Sequence, residues 1–338
     1  MEGPMAPVAP IPDMNPPAAA PDFLAAAGWE GAEIRPLAGD ASFRRYFRVV
    51  EHDRSAILMD APPPHEDPRP FIAIARWLTE HGFAAPEILH EDLTEGLVLI
   101  RDFGDARMRE TVDAAPESEL RLYEEAIDLL IRLGQFPAAD LKPYTLAEYQ
   151  REASLLVEWY CPAVGLEVDA EGYREAWDAV LVPVLAGHTP VTVLRDYHAE
   201  NIMLIDGAAE TLGLLDFQDA LAGHPAYDLV SLLQDARRDV PESLETAMLN
   251  RYKRITGEGD AFDIAYHVLG AQRNAKIIGI FTRLWVRDGK PRYPGLCPRV
   301  WTYLNRDLAH PALKPVAEWF AANVPVEMRG DPVAIAAA

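Results

Sequence analysis

The sequence predicts an α+β fold of two lobes, a small lobe built on an antiparallel β-sheet followed by a larger helical lobe. Two observations predict it. Short runs rich in β-branched residues, separated by turn residues, recur up to Ile100, whereas apolar residues repeat with the helical period from about Ala114 onward. At 338 residues the chain is long enough to give each lobe its own core. We expect a disordered, proline-rich tail over residues 1–21, the small lobe over 22–102 and the large lobe over 103–338.

The small lobe is predicted to contain five strands and two helices. Asp22 is a suitable N-cap for a short first helix that ends at Gly28. Apolar residues along one face indicate a second helix over residues 70–81. The strands are predicted at residues 33–37, 46–50, 57–59, 86–89 and 97–100.

The loop between the first two strands is a candidate cover for the phosphates of a nucleotide. Gly39 permits close approach of the backbone, and the Ser42 hydroxyl and the Phe43 amide are donors suited to phosphate oxygens. Arg45 follows, and Arg44 or Arg48 could equally supply positive charge, although solvated strand arginines would look the same. One glycine is a weak signal, and an ordinary hairpin loop explains it equally well.

Residues Ile100 to Asp102 end the fifth predicted strand and link the two lobes. Their backbone N–H and C=O groups are therefore candidates for contacts with the edge of an adenine ring.

The large lobe is predicted to be mainly helical. Asp228 is expected to be a buried anchor that accepts amide hydrogen bonds from the loop that contains Asp196. Arg273 and Lys276 belong to a basic cluster, which is either a solvated helix face or part of an acceptor site. The carboxyl-terminal residues 326–338 show little periodicity and are expected to fray. Helices are predicted at residues 118–133, 146–161, 171–185, 229–238 and 272–284.

The stretch from Val191 to Asp219 has the most specific pattern. Three short strands, at 191–194, 202–205 and 212–215, are expected to bring Asp196, Asn201 and Asp216 to one edge. Asn and Asp oxygens suit Mg²⁺, and the Asp196 carboxylate is suited to take the proton of an acceptor hydroxyl. The alternative is turn capping, because Asp and Asn are common in loops. The D-x-x-x-x-N spacing with a later strand-end Asp is the arrangement of protein kinases and of small-molecule kinases with their fold.

The composition excludes several classes of function. With 31 basic and 53 acidic residues the formal charge is -22, which disfavours binding to nucleic acid or to anionic membranes. Two cysteines, Cys161 and Cys297, are too few for a disulfide framework or a zinc site, and we expect free thiols in a reducing cytoplasm. No segment approaches the length of a membrane span. The sequence indicates no obligate protein partner.

Three motifs carry a resemblance to a known family. They are L-R-D-Y-H-A-E-N at 194–201, L-L-D-F-Q-D at 214–219 and G-H-P-A-Y-D-L at 223–229. The chain resembles the aminoglycoside phosphotransferase family, which has a protein-kinase-like fold. Within it, the stretches 39–48, 59–63 and 273–284 are most similar to the anomeric sugar kinases that phosphorylate N-acetylmuramate and N-acetylglucosamine in cell-wall recycling.

The resemblance implies an ATP-dependent and Mg²⁺-dependent kinase that acts on a small-molecule sugar. Asp196 would be the catalytic base, and Asn201 and Asp216 would be the magnesium ligands. The candidates for contacts with the sugar are Gln218, Asp219 and Arg237.

Three positions depart from the pattern of these kinases. Met59 stands where a third-strand lysine is expected, and this absence motivates a pseudokinase as the alternative of another class. His224 replaces the acid common in G-D-P-x-Y-D, so any capping role there is open. The letters of Asp102-Phe103-Gly104 match the kinase metal motif but precede Asp196, which excludes that role. An aminoglycoside is the alternative acceptor.

Overall fold

A computed structural model describes residues 15–37, 44–205 and 212–337. The chain divides into two compact units. The β-rich unit comprises the described residues within 15–122 and 200–220, and the helical unit comprises 123–199 and 221–337. The predicted boundary after residue 102 therefore comes earlier than the division of the structure, and residues 200–220 return to the β-rich unit.

The β-rich unit contains one five-stranded sheet, one hairpin and three helices. All neighbouring strands of the sheet are antiparallel, in the order β1-β2-β3-β5-β4, which confirms the predicted sheet. The strands of the sheet are β1 (Glu33–Pro36), β2 (Arg45–Glu51), β3 (Arg54–Asp60), β4 (Ile88–Asp92) and β5 (Leu97–Arg101). The helices are α1 (Ala20–Ala26), α2 (Arg69–Glu80) and α3 (Met108–Ala114).

Alternation along the strands builds the core of the sheet. Every second residue of β2, β3 and β5 is buried with Phe23 and Leu24 of α1 and with Trp29, which follows α1. This helix begins at Ala20, so the predicted disordered tail is too long at its carboxyl end. Residues 1–14 of that tail lie outside the described residues.

The helical unit begins with helices that precede the central stretch and ends with a long helical array. Its first members are α4 (Glu119–Leu133), α5 (Leu146–Ala153), a π-helical segment (Leu156–Tyr160), α6 (Cys161–Ala163) and α7 (Ala170–Ala186). The later members are α8 (Ala226–Leu233), α9 (Glu242–Thr256), α10 (Asp260–Val286), α11 (Cys297–Leu308), α12 (Lys314–Asn323) and α13 (Pro332–Ala336). The predicted fraying of residues 326–338 is wrong, since α13 is capped by the Asp331 carboxylate, which accepts from Val333 N.

The three strands predicted in the central stretch form, but the first of them does not pair with the other two. Strand β6 (Val191–Val193) pairs with β9 (Leu221–Gly223), whereas β7 (Ile202–Leu204) pairs with β8 (Leu212–Leu214). The strand that completes the first pair lies beyond the stretch, so local alternation could not reveal it. The predicted turn at Asp206-Gly207 lies outside the described residues.

Both cysteines are buried in the helical unit as free thiols. Burial raises the pKa of Cys161 and of Cys297 to about 12. No helix within the described ranges has the length and apolar character needed to cross a bilayer.

Candidate active site

Asp196 lies in a loop that follows β6 in the helical unit, and the loop backbone is held by a buried carboxylate. Leu194 N and Arg195 N donate to the two oxygens of Asp228 at 2.7 and 2.8 Å. Asp228 is only 3% exposed. Burial raises its pKa to about 7, against the opposing effect of the two amide donors and Arg273. The predicted anchoring role of Asp228 is confirmed.

Arg195, which directly precedes Asp196, has an unusual backbone conformation. Its φ of 71° lies in the left-handed region, which disfavours side chains larger than glycine. Its carbonyl accepts from Ser231 Oγ at 3.0 Å, and Ser231 Oγ in turn accepts from Arg273 Nη2 at 2.8 Å. The surrounding helices therefore hold a strained residue beside the predicted base.

Asn201 and Asp216 lie together in the β-rich unit, as the sequence predicted. The hairpin pairs Ile202 with Leu214, so the residues that flank this pair emerge at one end. Leu215 N donates to the Asn201 carbonyl at 3.0 Å, and Asn201 Nδ2 lies 3.4 Å from Asp216 Oδ2. Asp216 is exposed and has a φ of 59°.

This pair fits Mg²⁺ through its donor chemistry. Mg²⁺ prefers oxygen ligands and commonly takes only one or two protein groups, with water and substrate phosphates completing its shell. Asn201 and Asp216 offer an amide oxygen and a carboxylate at one exposed position. No group of three or more His, Cys, Asp or Glu side chains is placed to hold a metal in the parts of the chain that the structure describes.

The predicted phosphate loop is largely outside the described residues. Gly39, Ser42 and Phe43 belong to the undescribed segment 38–43, so their roles stay predictions. Arg45 follows that segment and forms an ion pair with Asp60, which is 2% exposed.

The other two candidate arginines are also paired with carboxylates. Arg44 Nε lies 3.1 Å from Glu66, and Arg48 Nε lies 2.8 Å from Asp102. Burial raises the pKa of Tyr46, Arg44 lowers it, and Asp216 raises it further. Each of the three candidate arginines thus has a carboxylate partner.

Part of the predicted adenine-binding segment belongs to the five-stranded sheet. Ile100 is buried in β5, opposite Ile57 and Ile88, and Arg101 N donates to the Glu87 carbonyl at 2.9 Å. The Asp102 side chain accepts from Gly104 N at 2.8 Å. Contacts of Ile100 and Asp102 with adenine stay predictions that involve their backbone groups.

The predicted sugar-binding residues are divided between the two units. In the β-rich unit, Gln218 Nε2 donates to Asp216 Oδ1 at 2.7 Å, and Asp219 is exposed. In the helical unit, Arg237 Nη1 lies 3.1 Å from His198 Nε2. Gln218 therefore also orients the predicted metal ligand, while the sugar contacts stay predictions.

The His224 side chain accepts a hydrogen bond at the start of α8. Its Nδ1 accepts from Ala226 N at 3.1 Å, at the first residue of that helix. Burial and, to a smaller extent, His188 lower the pKa of His224 to about 3. The ring is therefore neutral at pH 7, as its acceptor role requires.

The interpretation of Arg273 and Lys276 as a solvated helix face is wrong. Arg273 is 4% exposed, and Lys276 Nζ lies 2.9 Å from Oε1 of the buried Glu152. Sequence reasoning missed Glu152 because it lies in α5, 43 residues before Arg195. A buried position for Glu152 was detectable only as a charged residue on the apolar face of a predicted helix.

A cleft of about 960 Å³ opens elsewhere in the helical unit. Its lining includes His188, His224, Tyr252 and Phe262, and among the described residues it includes none of the predicted site residues. Its volume is that of a ligand pocket, but the predicted chemistry lies at other positions.

Comparisons with known proteins agree with these features. A sequence profile of the phosphotransferase enzyme family matches residues 33–263. An N-acetylmuramate/N-acetylglucosamine kinase from Caulobacter vibrioides is 38% identical, with 91% of this chain and 96% of that protein covered. A protein of the same name from Pseudomonas aeruginosa is 39% identical, with 89% and 92% covered. A solved gentamicin–APH(2")-IIa complex is similar in fold, with a TM-score of 0.60, 16% identity and coverage of 89% of this chain and 99% of that chain.

Proposed function

Because the chain belongs to the phosphotransferase enzyme family, we propose that it is an ATP-dependent kinase of N-acetylmuramate and N-acetylglucosamine that phosphorylates the anomeric hydroxyl. The observation that carries this proposal is the identity of 38% to a kinase of these sugars over 91% of the chain. Similarity of fold alone would not separate this acceptor from the antibiotics of other phosphotransferases.

In the proposed reaction Asp196 accepts the proton of the sugar hydroxyl and aims its oxygen at the γ-phosphate. Asn201 and Asp216 would hold Mg²⁺, which supplies charge neutralisation at the phosphate oxygens when it is bound with ATP. Gln218 would keep the Asp216 carboxylate oriented by its hydrogen bond of 2.7 Å. Arg44, Arg45 and Arg48 are the candidates for the positive charge of the lysine that Met59 replaces, and each forms an ion pair with a carboxylate.

A panel of acceptors tests this proposal. ADP release with ATP and Mg²⁺ is measured for N-acetylmuramate, N-acetylglucosamine, their 1-O-methyl glycosides and an aminoglycoside. We expect turnover of the two free sugars and none of the glycosides, whose anomeric oxygen has no proton to lose. Turnover of the glycosides would contradict the anomeric position, and turnover of the aminoglycoside alone would contradict the sugar assignment.

Asp196→Asn tests the proposed base. The substitution keeps the size of the side chain but removes the proton acceptor, so we expect kcat to fall by about 10³-fold while ATP binding stays within about two-fold. A variant with wild-type turnover would remove Asp196 from this role. A protein that is stabilised by ATP but inactive with every acceptor would instead be a pseudokinase.

A further inference from the structure

Arg195 is held by contacts of its amide, its carbonyl and its guanidinium. Its amide donates to Asp228 at 2.8 Å and its carbonyl accepts from Ser231 at 3.0 Å. Its guanidinium forms an ion pair with Glu152 and lies 5.5 Å from the centre of the Tyr144 ring. A left-handed arginine persists only where its surroundings define its conformation, so these contacts are candidates for the cause of its φ of 71°.

Glu152 joins this arginine by charge to α5 and, through Lys276, to α10. Its side chain is 2% exposed, and its carboxylate accepts from the Tyr144 hydroxyl. Lys276 Nζ lies 2.9 Å from the same Oε1 that faces Arg195. One buried carboxylate thus faces Lys276 from α10 and Arg195 from the loop, and the exposed Arg151 lies farther from it, at 3.9 Å.

The charge of Glu152 is maintained despite its burial. Burial works to raise its pKa, but Lys276, Arg195 and the Tyr144 hydroxyl together hold the pKa below its usual value. Removing the charge would leave the guanidinium of Arg195 and the ammonium of Lys276 close together without their shared counterion. Such uncompensated buried charges move toward water, and Arg195 would take its backbone with it.

We propose that Glu152 is a positioning residue for phosphoryl transfer. Through its ion pair with Arg195 it keeps the backbone of the residue before Asp196 in the left-handed conformation, and so keeps the Asp196 carboxylate aimed. This inference rests on the proposed role of Asp196, but it does not depend on which acceptor the enzyme uses.

Glu152→Gln tests the proposal, with Glu245→Gln as a matched control. Glu245 is also a buried carboxylate of the helical unit, and it is bound by the Tyr266 hydroxyl at 2.7 Å, by Gln234 and by Arg306. Both variants should lower Tm, since each leaves buried partners unpaired. At a temperature well below either Tm, only Glu152→Gln should lower kcat, by about 10- to 100-fold, with KM for ATP within about two-fold.

A double-mutant cycle separates positioning from a merely structural role. Glycine adopts positive φ without strain, so in an Arg195→Gly background the loop no longer needs Glu152. In the Arg195→Gly background, Glu152→Gln should lower kcat by less than about three-fold. An unchanged penalty in that background would overturn the proposal, as would equal kcat values for Glu152→Gln and Glu245→Gln.

The assay uses whichever acceptor of the panel the wild-type protein phosphorylates. A failure of the sugar assignment is therefore seen in the wild type, whereas a failure of the positioning role is seen only in the variants. Where Glu152→Gln does not fold, Glu152→Asp retains the charge on a shorter side chain. Its kcat should fall by about two- to ten-fold at unchanged KM for ATP. A lowered Tm with wild-type kcat for Glu152→Asp would contradict positioning.

Discussion

Two short segments of the central stretch, the Asp196 loop and the hairpin end with Asn201 and Asp216, are built in opposite ways. Each contains a residue other than glycine at positive φ, Arg195 at 71° and Asp216 at 59°. The loop is held by the buried Asp228 and by a ring of side chains from α5, α8 and α10. Asp216 is exposed, and the contacts described for its carboxylate are those with Asn201 and Gln218.

The difference follows from what each segment is proposed to do. A general base works only if its oxygen is already aimed at the proton, so its orientation must be fixed by the protein. Metal ligands complete their geometry when the cation and the phosphates arrive, so they need solvent access more than rigidity. The comparison therefore predicts that substitutions in the loop cost stability and activity, whereas substitutions at the hairpin end cost activity alone.

Among the substitutions that test this comparison, the largest loss of kcat should come from Asp216→Asn. It removes the negative charge of the proposed metal ligand, and a loss of about 3 kcal/mol of transition-state stabilisation corresponds to about 150-fold in kcat. Tm should stay unchanged or rise, because asparagine tolerates positive φ at least as well as aspartate. Initial rates across a series of Mg²⁺ concentrations and a thermal melt check both parts. A lowered Tm would break the comparison.

Asp228→Asn should have an intermediate effect, and it should reduce stability more than activity. An amide can accept from one of Leu194 N and Arg195 N, but its NH₂ group would face the other donor. We expect the free energy of unfolding to fall by about 1–3 kcal/mol, with a smaller loss of kcat than for Asp216→Asn. Denaturant titration measures the first quantity. Wild-type stability with reduced kcat would show that the anchor acts on the chemistry alone.

The smallest effect is expected from His224→Asn and depends on pH. The pKa of His224 is about 3 in the folded protein, below its ordinary value of 6.5, so the unfolded chain takes up a proton first as the pH falls. The neutral ring therefore stabilises the protein fully above pH 6.5, and this stabilisation is lost as the pH falls toward 3. By pH 5.5 the loss is about 1 kcal/mol.

Asparagine retains a side-chain acceptor for Ala226 N but does not titrate in this range. The variant should therefore lose less Tm than the wild type between pH 7.5 and 5.5. An equal fall of Tm for the two proteins between pH 7.5 and 5.5 would contradict the assigned pKa. The comparison of loop and hairpin would then rest on Asp216→Asn and Asp228→Asn.

The sequence was sufficient for the features that depend on local pattern. Short β-branched runs predicted the five-stranded sheet, and the short strands at 202–205 and 212–215 predicted that Asn201 and Asp216 meet, because both flank one hairpin. The kinase family and the anchoring role of Asp228 are likewise confirmed.

Features that depend on contacts between distant segments were not predictable. The partner of β6 lies beyond the central stretch, and the carboxylate that pairs with Arg195 lies in α5. The pattern around β6 does not identify its partner strand, and the position of Glu152 on the apolar face of α5 indicates burial but not which cation it pairs with. The ion pair of Lys276 with Glu152 was not predictable for the same reason. Lys276, interpreted from the sequence as a possible surface charge, helps to support the Asp196 loop.

The two cysteines give the helical unit a property that the β-rich unit lacks. Both thiols are buried, and their pKa of about 12 keeps them protonated. The sequence has no other cysteine, so the β-rich unit contains none. Only the thiolate reacts with alkylating reagents, so neither thiol reacts until the residues around it open. The rate at which reagents modify these thiols in the native protein therefore reports the opening of the helical unit, which holds Asp196. It gives no information about motions of the β-rich unit, which holds Asp216.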